Sequence, residues 1–343
     1  MEKAKNKFLT LKDIAKAAGV SYSTVSRVVN NEKYVKEETR NKLEKILKEM
    51  HYHPEWTARS LRKGRTKIIG LIIPNIANIF FGRLALGVQN ILREKNIDLI
   101  LFNTNNDPEL EKKSLEIALS KRVEGIILAT INGSEELVSQ VIERYNIPIV
   151  LVDNKVDGFK VDTVLHDNMN GAKLLVEHLI GHGHKKIACI AGPIKESSSF
   201  ERVEGYKKAL SENKIPVSEN LIKFTNWKKK IAYKVTEEVL LMSSDDRPTA
   251  FFTANTNMAI GVIKCLDDHS FNIPKDFALV TFDDYDFASI LKPPLTTLKR
   301  ADTKLGDVAI NLLLKKIDEG VVNYGKEIRV KMELEIRKSC GCS

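Results

Sequence analysis

Residues 10–50 carry apolar positions at alternating spacings of three and four. Leu11, Ile14, Ala15 and Ala18 lie on one helical face behind Thr10, and Asp13 stands three residues on, a capping-box start. Gly19 offers the freedom for a sharp exit, and Ser21 caps a second helix running to Asn30. Val25, Val28 and Val29 give that helix its buried face, and a third amphipathic stretch, 37–50, turns Leu43, Ile46 and Leu47 toward the same small core. The pattern predicts helix, tight turn, helix and closing helix, an all-α headpiece over residues 1–52.

The second helix is unusual on its other face, where Tyr22, Ser23, Ser26 and Arg27 gather hydroxyls and a guanidinium. A recognition helix presents such side chains to base edges in the major groove. Base reading is expected from Tyr22, Ser23 and Arg27, and phosphate contacts from Ser21, Thr24 and Ser26. An ordinary helical hairpin with a solvated face has the same pattern.

Residues 53–66 form the next joint. Pro54 cannot sit inside a helix, and TARSLRKG is short, basic and apolar only at Ala58 and Leu61. Helix nucleation is too costly for so short a piece alone, so it is expected to order only on a partner, or to remain a basic linker. Arg59, Arg62 and Lys63 flank Leu61 as phosphate or groove contacts.

From Lys67 the period changes. β-branched runs (KIIGLII, IDLILFN, GIILATI, IPIVLVD, KIACIAG, TAFFTAN, FALVTFDD) alternate with amphipathic stretches such as LEKKSLEIALSKR, the signature of parallel α/β sheets. The expected core covers 67–343, with an N-subdomain near 67–166, a C-subdomain near 167–292, and last strands and helix crossing back between them. A ligand belongs at the carboxyl ends of such strands, in the cleft between sheets.

The residues that follow the runs suit that role. Asn75, Phe80 and Phe81 come after the first, Asp153 after IPIVLV, Asn255 after TAFFTA and Asp283 after FALVTF. The carboxylates and amide oxygen accept from sugar hydroxyls, Arg202 in FERVEGY is a forked donor, and Trp227 and Phe80 can stack on the apolar face of a ring. Strand-end Asp and Asn also cap helices, and the Phe residues also suit a core. The run Lys228-Lys229-Lys230 fits a solvated face, or an anionic ligand.

Charge sharpens the division. Of 54 Lys and Arg and 45 Asp and Glu, residues 1–67 hold 17 and 8, leaving 37 and 37, so the whole formal +9 lies in the first fifth. Clustered cations on a neutral body point to a nucleic-acid module attached to something else. Four cysteines make no disulfide framework, and Cys189 and Cys265 sit in apolar contexts where buried thiols are common. No apolar run is long enough to span a bilayer, and MEKAKNKFLT lacks the apolar core of a secretory signal, so a cytoplasmic protein is expected. Cys340 and Cys342 form a CxC without neighbouring His or Cys, which reads as an exposed terminus, and no metal or cofactor is expected. In HLIGHGH, His178 and His182 stand at helical spacing without the glutamate of HExxH, beside glycines that mark a helix end. Neither a phosphate-cradling GxxxxGK[ST] nor a GxSxG elbow occurs, so catalysis is not expected.

TLKDIAKAAGVSYSTVSRVVN, HYHPEWTARSLRKGRTKIIGLIIP, FERVEGY, FTANTNMAIG and FDDYDFASILKPPLTTL together resemble the lactose/galactose repressor (LacI/GalR) family, essentially end to end. The resemblance implies a two-subdomain core like periplasmic sugar-binding proteins of type I. It also implies a hinge helix that folds when two subunits meet over DNA, with Leu61 wedged into the minor groove. With that wedge, the expected DNA-binding set is Thr10, Ser21, Tyr22, Ser23, Thr24, Ser26, Arg27, Asn30, Ala58, Arg59, Leu61 and Arg62. The resemblance implies effector contacts at Phe80, Phe81, Asp153, Arg202, Trp227, Asn255 and Asp283, to which the place of Asn75 after the first run adds an eighth. One departure stands out: Asn255-Thr256 replaces the family's common Asn-Asp corner, which weakens any transfer of ligand identity.

The reading is a repressor acting as a homodimer on double-stranded operator DNA, controlled by a sugar or sugar derivative. A solute-binding or sugar-processing protein with a basic arm, and a regulator answering to a phosphoprotein, are the alternatives. The short tail without leucine heptads points to dimers rather than tetramers.

Overall fold

The structure is a computed structural model and describes residues 9–30, 32–50, 52, 65–131, 135–156, 160–299, 302–322 and 325–342. The chain divides into two units between Lys67 and Ile68.

In the first unit, α1 (Leu11–Ala18) opens on the expected capping box. Thr10 accepts from the Asp13 amide, and the Asp13 carboxylate accepts from the Thr10 amide at 2.8 Å. Gly19 ends it with a left-handed φ of 68°. Ser21 caps α2 (Tyr22–Val29) by accepting from the Thr24 amide at 3.1 Å, and Asn30 closes it. The third helix, α3 (Glu37–Glu49), ends one residue short of the expected bound, with Met50 as its cap. Ile14, Ala18, Val25, Val28 and Leu43 form the buried centre, and the Lys42 ammonium donates to the Ala18 carbonyl at the end of α1.

The second unit holds two six-stranded sheets. The first contains β1 (Ile68–Ile73), β2 (Asp98–Asn103), β3 (Gly125–Leu128), β4 (Ile149–Val152), β5 (Thr163–His166) and β11 (Glu327–Val330), in the order β11-β5-β4-β3-β1-β2, every pair parallel. The second contains β6 (Ile187–Ala191), β7 (Ile222–Phe224), β8 (Ala250–Thr253), β9 (Ala278–Thr281), β10 (Thr296–Lys299) and β12 (Glu333–Glu335), in the order β12-β10-β9-β8-β6-β7, with only β12 antiparallel. Strands β3, β4, β8 and β9 are buried along their whole length, which is why they read as continuous apolar runs.

Helices cover both sheets: α4 (Ile79–Glu94), α5 (Pro108–Ser120), α6 (Glu135–Tyr145) and α11 (Asp302–Glu319) about the first, α7 (Asn168–Gly181), α8 (Ser197–Glu212), α9 (Lys229–Leu240) and α10 (Thr256–Asp268) about the second. The chain passes between sheets three times, after β5, after β10 and after β11, so α11 and β11 return to the first sheet. Buried Lys316 on α11 pairs with buried Asp162, just before β5, and so fastens this return. Strands β5, β7, β10, β11 and β12 were not expected individually. They are three or four residues long and carry too few apolar positions for a period to show.

The tail corrects one expectation. Cys340 is only 1% exposed, not part of a free terminus. Ser339 holds it in place: the Leu279 amide donates to the Ser339 carbonyl at 2.8 Å, and the Ser339 hydroxyl donates to the Leu279 carbonyl at 2.6 Å. The segment thereby lies alongside β9, and Cys342 comes up against His178 and His182 at the end of α7. Sequence separation hid that meeting.

Candidate functional site

Two surfaces carry polar chemistry. On the first unit, Ser21, Tyr22, Ser23 and Arg27 are exposed at the start and middle of α2, with Tyr22 47% exposed. Thr24 is half-buried, and Thr10 lies exposed at the start of α1. The Ser21 hydroxyl lies 2.8 Å from the hydroxyls of both Ser23 and Thr24, so the three form one patch. Ser26 does not join them. It is 5% exposed and accepts from the Asn30 side-chain amide at 3.2 Å, covered in the packed headpiece although its place on the helical wheel lies away from the valines. The expected exposed face at Ser26 is therefore withdrawn. Ala58, Arg59, Leu61 and Arg62 lie outside the described residues.

The second surface is a cleft of about 590 Å³ between the two sheets. All eight residues expected from the sequence line it: Asn75, Phe80, Phe81, Asp153, Arg202, Trp227, Asn255 and Asp283. Asn75 follows β1, Asp153 follows β4, Trp227 follows β7, Asn255 follows β8 and Asp283 follows β9, the carboxyl ends where an α/β crevice forms. Phe80 and Phe81 sit in the first turn of α4 with ring centroids 4.7 Å apart. Both are nearly buried and also belong to the core, so each serves both purposes.

Arg202, on α8, is 3% exposed. Its Nε donates to Asn168 Oδ1 at 3.0 Å and its Nη1 to the Ala254 carbonyl at 2.6 Å, while the guanidinium lies 3.8 Å from the centre of the Phe282 ring. Its position is thus fixed before any ligand arrives. Asn255 and Asp283 double as helix caps. Asn255 accepts from the Met258 amide at 2.9 Å and Asp283 from the Thr256 amide at 3.2 Å. Asp153 and Trp227 hold left-handed backbone at φ 70° and 55°, a state Asp adopts more readily than most residues and a bulky Trp rarely does.

Sequence reasoning missed part of the lining. Asn78, Asn105, Asn106, Asn154, Asn226 and Asn257 give it an amide-rich wall, and Glu196 and Ser198 complete it. The strand-end rule could have found Asn105, Asn106, Asn154 and Asn226; nothing local marks Glu196. Its carboxylate accepts from the Trp227 indole at 2.7 Å. Burial pushes Glu196 up to about 7; the Trp227 donor, Arg202 and Asn154 oppose that rise, and Asp153 adds to it. Asn154 links the two walls, accepting from the Ser198 amide at 3.0 Å in the first turn of α8. Lys228 alone of the lysine run lines the cleft. Against Lys228 and Arg202 stand Asp153, Asp283 and Glu196, so the site has no cationic excess.

A second network joins the walls behind Arg202. Arg329 of β11 makes a two-pronged bond to Glu201 of α8, at 2.7 and 2.9 Å, and Glu201 accepts from the Asn168 amide that also receives Arg202. The Arg202 position is therefore tied to the crossing between sheets.

Residues 10–55 match the family model described as bacterial regulatory proteins, lacI family, and residues 176–340 match the periplasmic binding protein-like domain. The chain is 34% identical over 310 residues to the HTH-type transcriptional repressor PurR of Vibrio atlanticus (strain LGP32), covering 90% of this chain and 92% of that one. Among solved structures, the lac repressor dimer bound to operator and the anti-inducer ONPF superposes with a TM-score of 0.84 at 27% identity, over 97% of this chain and 99% of the other. A complex of the transcriptional regulator CelR with cellobiose superposes with a TM-score of 0.73 at 26% identity, over 96% and 99%. Among the described residues no helix is long and apolar enough to cross a membrane.

Proposed function

The chain belongs to the lacI family of bacterial regulatory proteins, and from that premise we propose a homodimeric repressor whose hold on operator DNA is set by a neutral sugar or sugar derivative in the cleft. It is a DNA-binding transcriptional regulator. The reading as a solute-binding protein with a basic arm loses its ground once residues 10–55 match a DNA-binding family. The site of action is the cytoplasm, where operator DNA lies.

Ser21, Tyr22, Ser23, Thr24 and Arg27 face the DNA in this reading, with Thr10 and Asn30 at the helix ends. Ala58, Arg59, Leu61 and Arg62 contact the groove between two subunits. Two-fold symmetry of the dimer then matches a palindromic operator. The lac repressor in its operator complex is likewise a dimer.

The observation that carries the ligand assignment is the lining itself. Amides and carboxylates from both walls surround Arg202 and two aromatic faces, Phe80 and Trp227, with no cationic excess. Such a set binds hydroxyls in pairs and a ring face by stacking, and offers little to a phosphate. CelR, of the same fold, holds cellobiose. Contacts from both walls favour one arrangement of the two subdomains, and the ligand shifts the population toward it, changing the spacing of the two headpieces.

A thermal-shift screen of neutral sugars, sugar acids, sugar phosphates and nucleobases tests the assignment. A ligand that binds only the native state raises Tm by mass action. A neutral sugar that raises Tm and alters operator affinity is the expected result. A response confined to phosphorylated compounds would overturn it.

A further inference from the structure

His178 and His182 stand one turn apart at the end of α7, and the C-terminal segment brings Cys340 and Cys342 to them. The ligand atoms of these four residues all lie within 4.8 Å of one another. Cys342 Sγ is 3.0 Å from His182 Nε2 and 3.6 Å from His178 Nε2. The cysteines carry free thiols, and none of the four residues lines the cleft.

We propose that His178, His182, Cys340 and Cys342 form a structural zinc site that fastens the C-terminal segment to α7.

Two thiolates and two imidazoles are a zinc donor set, and tetrahedral bonds of about 2.0–2.3 Å place ligand atoms roughly 3.3–3.8 Å apart. The observed spacings need only a small adjustment to reach that shell. Two thiolates cancel the dication, so the loaded site is neutral and tolerates the burial of Cys340. Four protein ligands fill the tetrahedron and leave no open position for a substrate, which makes the role structural. The ligand backbone is already fixed: His178 stands in the last turn of α7, His182 is its C-cap, and Ser339, beside Cys340, is bonded to β9.

The outer shell fits as well. The Thr296 hydroxyl donates to Cys340 Sγ at 3.1 Å, a contact that a thiolate strengthens. The Cys340 thiol donates to the Arg337 carbonyl at 3.2 Å, and that proton must leave when metal binds. Each zinc taken up therefore displaces the protons of both thiols.

The test uses the full-length, untagged protein, purified under reducing conditions, freed of metal and titrated with zinc, and separately with cobalt as a spectroscopic stand-in. The expected result is about one zinc per chain, released protons, a higher Tm, and cobalt spectra showing thiolate charge transfer and tetrahedral bands. Cys342→Ser and His182→Gln change partly exposed residues; each should stay folded by circular dichroism and lower zinc affinity at least about tenfold. Wild-type protein that takes up neither metal, or variants that bind zinc as tightly as wild type, would overturn the site. So would a Cys340–Cys342 disulfide persisting in reductant. Should the variants fail to fold, the cobalt spectrum of the wild type decides, since absence of thiolate charge transfer excludes these ligands.

Discussion

Replacing Glu196 with glutamine should abolish a specific pH dependence of stability. In the folded core, burial raises this carboxyl from its ordinary 4.5 to about 7. The native state then holds the proton more tightly than the unfolded chain, so stability attributable to this group is greatest at low pH. It falls as pH rises from 4.5 toward 7 and is flat above. Linkage puts the loss between about pH 5 and about pH 8 at roughly 2.5 kcal/mol, an upper value because water still reaches part of the carboxylate. Glutamine keeps an oxygen to accept from the Trp227 indole, so the substitution removes the charge while leaving the contact. Urea unfolding of wild type and Glu196→Gln, followed by circular dichroism across that range, measures the difference. The variant should gain on the wild type as pH rises. Parallel curves for the two proteins would refute the burial argument for Glu196.

Gly192→Ala should disorder the stacking wall: an added Cβ would lie 2.1 Å from Trp227 Cζ2 and 2.3 Å from Cε2, so a rigid ring must move. A stability loss of about 1–3 kcal/mol by urea unfolding, with weakened ligand thermal shift, is expected. Arg202→Ala should weaken the effector at least about tenfold through lost charge-assisted hydrogen bonds, while ligand-free operator binding by a correctly folded variant stays as in wild type; an unchanged effector response in operator titrations would make Arg202 purely structural. A chain starting at Lys67 should keep the ligand thermal shift and lose operator DNA. Full-length affinity should fall steeply with salt in gel-shift titrations, because nearly all of the positive charge excess lies in the removed part.

What the sequence determined was local. Capping at Thr10 and Ser21 and the valine face of α2 depend on neighbours within four residues, so spacing alone placed these helices to within a residue. Continuous apolar runs announced the buried central strands, and the residues just after them proved to line one cleft, because parallel strands all deliver their carboxyl ends to the same edge. Contacts between distant segments were decided only by the tertiary structure. Ser26 looks outward on a helical wheel until the packed headpiece covers it. Glu196 reaches the cleft because α8 begins there, and its raised pKa comes from burial, against which the Trp227 donor works. Short strands β10, β11 and β12 carry no readable period and form because neighbouring strands offer open hydrogen-bonding edges. Cys342 and His178 stand 164 residues apart, and a spacing rule that works along the chain cannot detect ligands assembled by a tail laid against a sheet.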